Sequence, residues 1–143
     1  MTTQVTLQTN VKQTNSSTFV RNVLKANAVF SSLSGGAFLV AAKPMAAFLG
    51  LSIPAILIIT GILLLIFAAD VFYLATRKTV NPKGVVAVIV ADALWVIGSV
   101  ILLVTGLVPL TVEGKWAVGI VAVMVAVLAD LQYYGLRQMK ADK

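Results

Sequence analysis

Two stretches of the chain repeat the same acid, tyrosine and arginine at the same spacing. Residues 67–77 read FAADVFYLATR, and residues 127–137 read VLADLQYYGLR. The repeated side chains are Asp70, Tyr73 and Arg77, and then Asp130, Tyr133 and Arg137. A carboxylate can hold a proton or a cation, and an arginine can pair with it through several N–H donors. These residues are therefore the first candidates for chemistry in this chain.

Few other reactive groups accompany them. The chain has no cysteine and no histidine. Their absence excludes disulfides, thiolate chemistry, haem or zinc on the usual protein ligands, and proton transfer by an imidazole. No serine stands beside an evident base that could activate it. We therefore expect no catalytic residue, no metal site and no enzymatic activity.

The elements that must position these side chains are membrane spans. Of 143 residues, 59% are hydrophobic and 11% are charged, whereas soluble domains are about half apolar and about a quarter charged. Residues 19–42, 53–77, 84–108 and 114–138 are each long enough to cross a hydrocarbon core of about 30 Å. Backbone groups in lipid must be paired internally, so the spans are helices. The prediction is an all-α, polytopic four-helix bundle at residues 19–143, preceded by a polar cytoplasmic tail at residues 1–18.

The basic residues predict the orientation of these spans. Nine of them fall on one side of the membrane: Lys12, Arg21, Lys25, Arg77, Lys78, Lys83, Arg137, Lys140 and Lys143. Only Lys43 and Lys115 fall on the other side. Because cytoplasmic loops carry the excess of Lys and Arg, both termini are predicted to be cytoplasmic. The net charge of +6 then follows from topology, and we expect no nucleic-acid partner. A bacterial inner (plasma) membrane is the expected location.

The self-similarity of the chain extends beyond the two acidic stretches. NAVFSSLS at residues 27–34 aligns with DALWVIGS at residues 92–99, which matches Asn27 with Asp92 and Phe30 with Trp95. This pattern indicates that spans one and two are duplicated as spans three and four. Both units start on the same side, so the repeat is parallel, about an axis along the membrane normal.

Each span carries one polar residue at a similar depth, and together these predict a polar layer inside the bundle. The four residues are Asn27, Asp70, Asp92 and Asp130. One interpretation is structural: basic side chains reach inward and neutralise the acids, and such contacts fix the helix register at about 0.6–2 kcal/mol each. The candidate charge partners are Arg21, Lys25, Arg77 and Arg137. The other interpretation is a proton or cation site, because buried acids of this kind line proton and ion pathways.

Other positions predict packing and apolar contacts. The first span carries small residues at helical spacing, which let two helices approach closely. They are Ala28, Ser31, Ser32, Gly35 and Gly36. Phe30 and Trp95 could flank an apolar ligand between the helices. The first loop, KPMAAFLGLS at residues 43–52, is apolar enough to form a short helical turn at the membrane surface or to cover a cavity mouth.

Three functional hypotheses follow from the sequence. The first is a non-catalytic structural or assembly component, a homo-oligomer or a subunit of a larger membrane complex in the lipid bilayer. The second is a small proton- or cation-coupled transporter or channel that uses the intramembrane aspartates. The third is a binder of a lipid, a quinone or another apolar cofactor; otherwise we expect no cofactor.

Overall fold

The computed structural model describes all 143 residues and is helical throughout, with no strand. The helices are α1 Thr2–Val40, α2 Ala42–Leu49, α3 Ala55–Thr76, α4 Pro82–Thr105 and α5 Val112–Ala141. All but α2 are long and apolar enough to cross a membrane. This confirms the prediction of an all-α chain with four helices that could span a membrane, and each predicted span overlaps one long helix.

Local signals in the sequence set several helix ends. The Asn81 side chain accepts a hydrogen bond from the Lys83 N–H at 3.1 Å, and Pro82 takes the first position of α4, where no N–H is needed. The Thr111 hydroxyl caps α5 in the same way. Gly50 and Gly106 end α2 and α4 in the left-handed region, at φ 84° and 63°. Only a residue without a Cβ adopts these angles at little cost.

The four long helices form two hairpins that pack side by side. α1 packs along α3, and α4 packs along α5. The hairpins join mainly through α1 against α5, whereas α3 and α4 contact each other only briefly. Around the bundle the order is therefore α1, α3, α4, α5, so that α3 and α5 lie on a diagonal. The seam between α3 and α4 is the loosest of the four.

Glycine brings α1 and α3 into direct backbone contact. A Cβ atom added to Gly35 would lie 2.8 Å from the carbonyl oxygen of Gly61, and one added to Gly61 would lie 2.8 Å from that of Gly35. The two helices can reach this separation because neither carries a side chain at the crossing point.

The two ends of the bundle differ in construction. The terminal end, as we name it, holds both chain termini and the α3–α4 connection, and it contains the larger apolar cluster, around Val20, Leu24 and Val71. The loop end holds α2 and the α4–α5 connection. There α2 buries Ala42, Ala46 and Leu49 against neighbouring helices. The apolar loop is thus a helix, as the sequence predicted.

The polar N-terminal residues continue the first helix without a break. We expected residues 1–18 to form a tail separate from the span, but α1 already begins at Thr2. The chain has no glycine or proline before residue 35 that would end the helix. Gln13 and Ser16 also donate hydrogen bonds to Asp142, to its backbone carbonyl and its carboxylate respectively, and so attach this segment to the end of α5.

Candidate functional site

A small group of buried polar side chains joins three helices near the middle of the bundle. Asn27 Nδ2 donates to Asp92 Oδ2 at 2.6 Å, and Gln132 Nε2 donates to the same oxygen at 3.2 Å. The Ser31 hydroxyl donates to Asn27 Oδ1 at 3.3 Å. All four residues are buried. We call them the polar cluster; they link α1, α4 and α5.

The helical periodicity of α4 turns Asp92 inward. Val85, Val88 and Asp92 are the buried residues of this helix, and they lie on one face because they are three and four positions apart. Asn27 lies on the inner face of α1 in the same way, next to Leu24 and Ala28. The hydrogen bond between Asn27 and Asp92 joins the two residues that the predicted repeat aligns.

Some polar atoms at this site have no partner in the chain. Gln132 Oε1 and Trp95 Nε1 are buried without a hydrogen bond. Both donors to Asp92 reach its Oδ2 atom, which leaves Oδ1 able to accept further bonds. Asp92 and Trp95 are three positions apart on α4, and both line the same cavity.

This cavity has a volume of about 660 Å³ and lies between the two hairpins. All five helices contribute to its wall, α2 through Met45, and most of the lining is hydrophobic. Aromatic rings are prominent: Phe30, Phe38, Phe67 and Trp95. The polar part of the wall consists of Ser31, Ser34, Thr60 and Asp92. Phe30 and Trp95, the two predicted apolar-ligand contacts, thus share one cavity.

Asp70 and Asp130 do not join the polar cluster, which corrects the expectation of one inward layer of four residues. Both side chains are exposed on the surface of the chain. On α3 the buried residues include Ala68, Val71 and Ala75, and the helical periodicity places Asp70 on the opposite side. Asp130 likewise lies opposite the buried face of α5 that contains Gln132. Only Asn27 and Asp92 of the predicted layer are in contact.

The predicted charge partners do not reach the acids either. Arg77 lies over the ring of Tyr73, 5.2 Å from its centroid, and Arg137 lies over Tyr133 at 5.9 Å. Each arginine therefore stacks on the tyrosine of its own motif, although Arg77 is the extended C-cap residue of α3 and Arg137 lies within α5.

The remaining two candidate partners have other roles in the structure. Arg21 donates to the backbone carbonyls of Ala75 and Arg77 at 2.7 and 2.6 Å, and so satisfies carbonyl groups at the end of α3. Lys25 is exposed. The sequence could not predict the contact of Arg21, because every residue has a backbone carbonyl and the residue type does not show which carbonyls accept a hydrogen bond.

The small-residue stripe of α1 is divided between two environments. Ala28, Ser31 and Gly35 are buried, and Gly35 makes the close contact with α3. Ser32 is exposed, and a Cβ added to Gly36 would meet nothing within 4 Å. The first group lies in the helix interface of the single chain, and the second does not.

One residue of the site was missed at the sequence level. Gln132 is fully buried and hydrogen-bonded to Asp92, although the sequence drew attention to Asp130 instead. The available signal was an uncharged amide inside an apolar span, since such side chains bond across helices in membranes.

The arrangement gives little support to metal binding. No group of three or more acids is placed to hold a metal ion.

Comparison with known protein families, curated proteins and solved structures finds no match to this chain. A functional assignment for this chain therefore depends on its residues and their geometry alone.

Proposed function

We propose that this chain is a non-catalytic assembly component of a bacterial inner membrane, where it associates with further copies of itself. The contacts would use two faces, which we name the α3 face and the α5 face. The α3 face consists of Asp70, Tyr73 and Arg77. The α5 face consists of Asp130, Tyr133 and Arg137.

The observation that supports this proposal most is the exposure of an acid on a helix face that otherwise meets lipid. Exposed residues of α3 on the same side as Asp70 include Ile62 and Ile66, which lie eight and four positions before it. The acid lies about 10 Å inside Arg77 along the helix, at 1.5 Å per residue. An unpaired carboxylate costs about 3 kcal/mol at the centre of a bilayer and less near its surface, so such groups are normally found with a partner. The single chain supplies none to Asp70 or Asp130.

Charge complementarity favours a second copy as that partner. Each face carries one acid and one arginine, and the arginine stacks on a tyrosine between them. Its guanidinium fork can still bind a carboxylate of a neighbouring helix. Pairing of Asp70 with an arginine of one neighbour, and of Arg77 with its acid, would give two polar contacts per interface. Each is worth about 0.6–2 kcal/mol in a membrane.

The position of the two faces favours assemblies larger than a dimer. α3 and α5 are diagonal in the bundle, and each face lies opposite the buried side of its own helix. One chain can therefore contact two neighbours at once. An α3 face against an α5 face is a head-to-tail contact, which forms a ring if the rotation closes.

The parallel repeat and the cytoplasmic position of both termini belong to the same proposal. Similar Arg–Tyr stacking in both hairpins supports the repeat, as does the hydrogen bond between the aligned residues Asn27 and Asp92. The excess of basic residues at the terminal end supports the orientation. The transport hypothesis has weaker support, because it relied on three acids that do not lie together within one chain.

The test removes the charges of one face at a time. Asp70→Asn with Arg77→Gln neutralises the α3 face, and Asp130→Asn with Arg137→Gln neutralises the α5 face. Glu113→Gln removes an exposed acid at the loop end and serves as the control. Oligomeric state would be measured in lipid nanodiscs by native mass spectrometry and in vesicles by single-molecule photobleaching.

We expect the unaltered chain and the control to form assemblies of three or more copies. Each head-to-tail contact uses both faces, so neutralising either face should give monomers, as should neutralising both. A monomeric unaltered chain, or variants that assemble as the control does, would overturn the proposal.

A further inference from the structure

We propose that the cavity between the hairpins binds a lipophilic organic cation, meaning an apolar molecule that carries an ammonium-type charge. The Asp92 carboxylate would form an ion pair with the ammonium-type group, and the aromatic residues of the wall would contact the apolar part of the ligand. This inference does not depend on the assembly proposal, because the cavity lies within one chain.

The size and lining of the cavity suit a molecule rather than a single ion. Its volume of about 660 Å³ falls within the range of about 300–1,000 Å³ that is typical of small-molecule sites. Such sites are mostly apolar and contain a few polar groups that orient the ligand. A bare metal ion would require several oxygen ligands close together, whereas Asp92 is the only carboxylate in the wall.

The charge of the wall favours a cation over a neutral ligand. No lysine or arginine lines the cavity. The two groups that bond to Asp92 are neutral amides, and both use Oδ2. An ionised carboxylate that is removed from water without a counter-charge costs several kcal/mol. A ligand with a positive charge would supply that counter-charge at the free side of Asp92.

The aromatic rings favour an organic cation in particular. Ammonium groups are attracted to the faces of aromatic rings within about 6 Å, and sites for quaternary ammonium ligands are commonly lined by such rings. Phe30, Phe67 and Trp95 all line the same cavity as Asp92. A wall that combines one carboxylate with several aromatic rings therefore matches both parts of a lipophilic cation.

The seam between α3 and α4 would give such a ligand access from the bilayer. These two helices contact each other only briefly. Leu63 of α3 lines the cavity, and 61% of its surface is exposed. A lipophilic cation partitions into the membrane, so it would approach the cavity from the side.

The two tryptophans of the chain allow a direct binding measurement. Trp95 lines the cavity, whereas Trp116 lies elsewhere and is exposed. In a Trp116→Phe variant, Trp95 alone reports quenching by a bromine-bearing probe. The probe is (4-bromobenzyl)trimethylammonium, and its uncharged isostere is 1-bromo-4-neopentylbenzene. A Trp95→Phe variant, in which only Trp116 remains, measures the background from partition into the nanodisc.

We expect the cationic probe to quench Trp95 fluorescence in a saturable way. The chain should bind this probe at least about tenfold more tightly than the uncharged isostere, because one ion pair of modest strength contributes a difference of that size. Asp92→Asn in the Trp116→Phe background should remove this preference, whereas Glu113→Gln should preserve it. Equal affinities for the two probes, or no quenching above background, would overturn the proposal. The comparison of the probes needs no change at Asp92, so it stands even if Asp92→Asn does not fold.

Discussion

Replacing Gly35 by alanine should weaken the hairpin of α1 and α3. The new Cβ atom would lie 2.8 Å from the Gly61 carbonyl oxygen, 3.1 Å from Leu65 Cγ and 3.2 Å from Leu64 Cβ. The backbone oxygen cannot rotate away as a flexible side chain can, so the helices must separate. Overpacking of this kind lowers the free energy of unfolding by about 1–3 kcal/mol. The better helix propensity of alanine offsets about 0.5–1 kcal/mol of this loss. We expect a net loss in the free energy of unfolding of about 1 kcal/mol at the middle of both ranges and of at most about 2.5 kcal/mol.

Gly36 provides the matched control for this change. It is the next residue on the same helix, but a Cβ there would meet nothing within 4 Å. Gly36→Ala should leave stability unchanged or raise it by about 0.5–1 kcal/mol through helix propensity alone. Both variants would be compared by reversible unfolding in mixed micelles, with increasing dodecyl sulfate. Equal stability of the two variants would refute the close approach of α1 and α3 at this point.

Two further substitutions test the polar contacts of α1. Asn27→Leu removes the shorter hydrogen bond to Asp92 and should lower the stability in micelles by about 0.6–2 kcal/mol. The control Asn22→Leu, at an exposed position, should have little effect. Equal losses of stability in the two variants would contradict the contact between Asn27 and Asp92. Arg21→Gln removes the charged donor at the end of α3 and should lower the free energy of unfolding by about 1 kcal/mol. Amide hydrogen exchange around Ala75 should become faster, and Lys25→Gln is the control. Unchanged exchange in the Arg21→Gln variant would argue against this role of Arg21.

The sequence predicted the spans better than it predicted which side of each helix is buried. Length and hydropathy are enough to locate a span, because the thickness of the bilayer sets both. Before Asp70 the α3 helix is apolar on all sides, so over most of its length no polar stripe marks its outer side. Asp70 and Asp130 were expected inside because an acid is costly in lipid, but that argument requires only a partner, and the partner can belong to another chain.

The alignment of residues 27–34 with residues 92–99 paired Asn27 with Asp92, which are in contact, whereas nothing in the sequence analysis predicted Gln132 or the cavity. Residues that a parallel repeat relates can meet at its axis, so the alignment contained this information. A cavity arises from the gaps between packed helices, here all five of them, and no local pattern encodes it. The aromatic residues that line it are widely separated in sequence, and in isolation each looks like an ordinary core residue.

Disulfide cross-linking tests the central claim, that copies of the chain meet through the two repeated faces, most directly. The chain contains no cysteine, so each introduced thiol reports one position. A Tyr73→Cys, Tyr133→Cys chain carries one thiol on each face, and both tyrosines are more than half exposed. Leu94→Cys, on the 64%-exposed Leu94 of α4, is the control. Oxidation in membranes should give a ladder of dimers and larger species from the double variant and monomers from the control. Monomers from both, or equal cross-linking of both, would contradict the account.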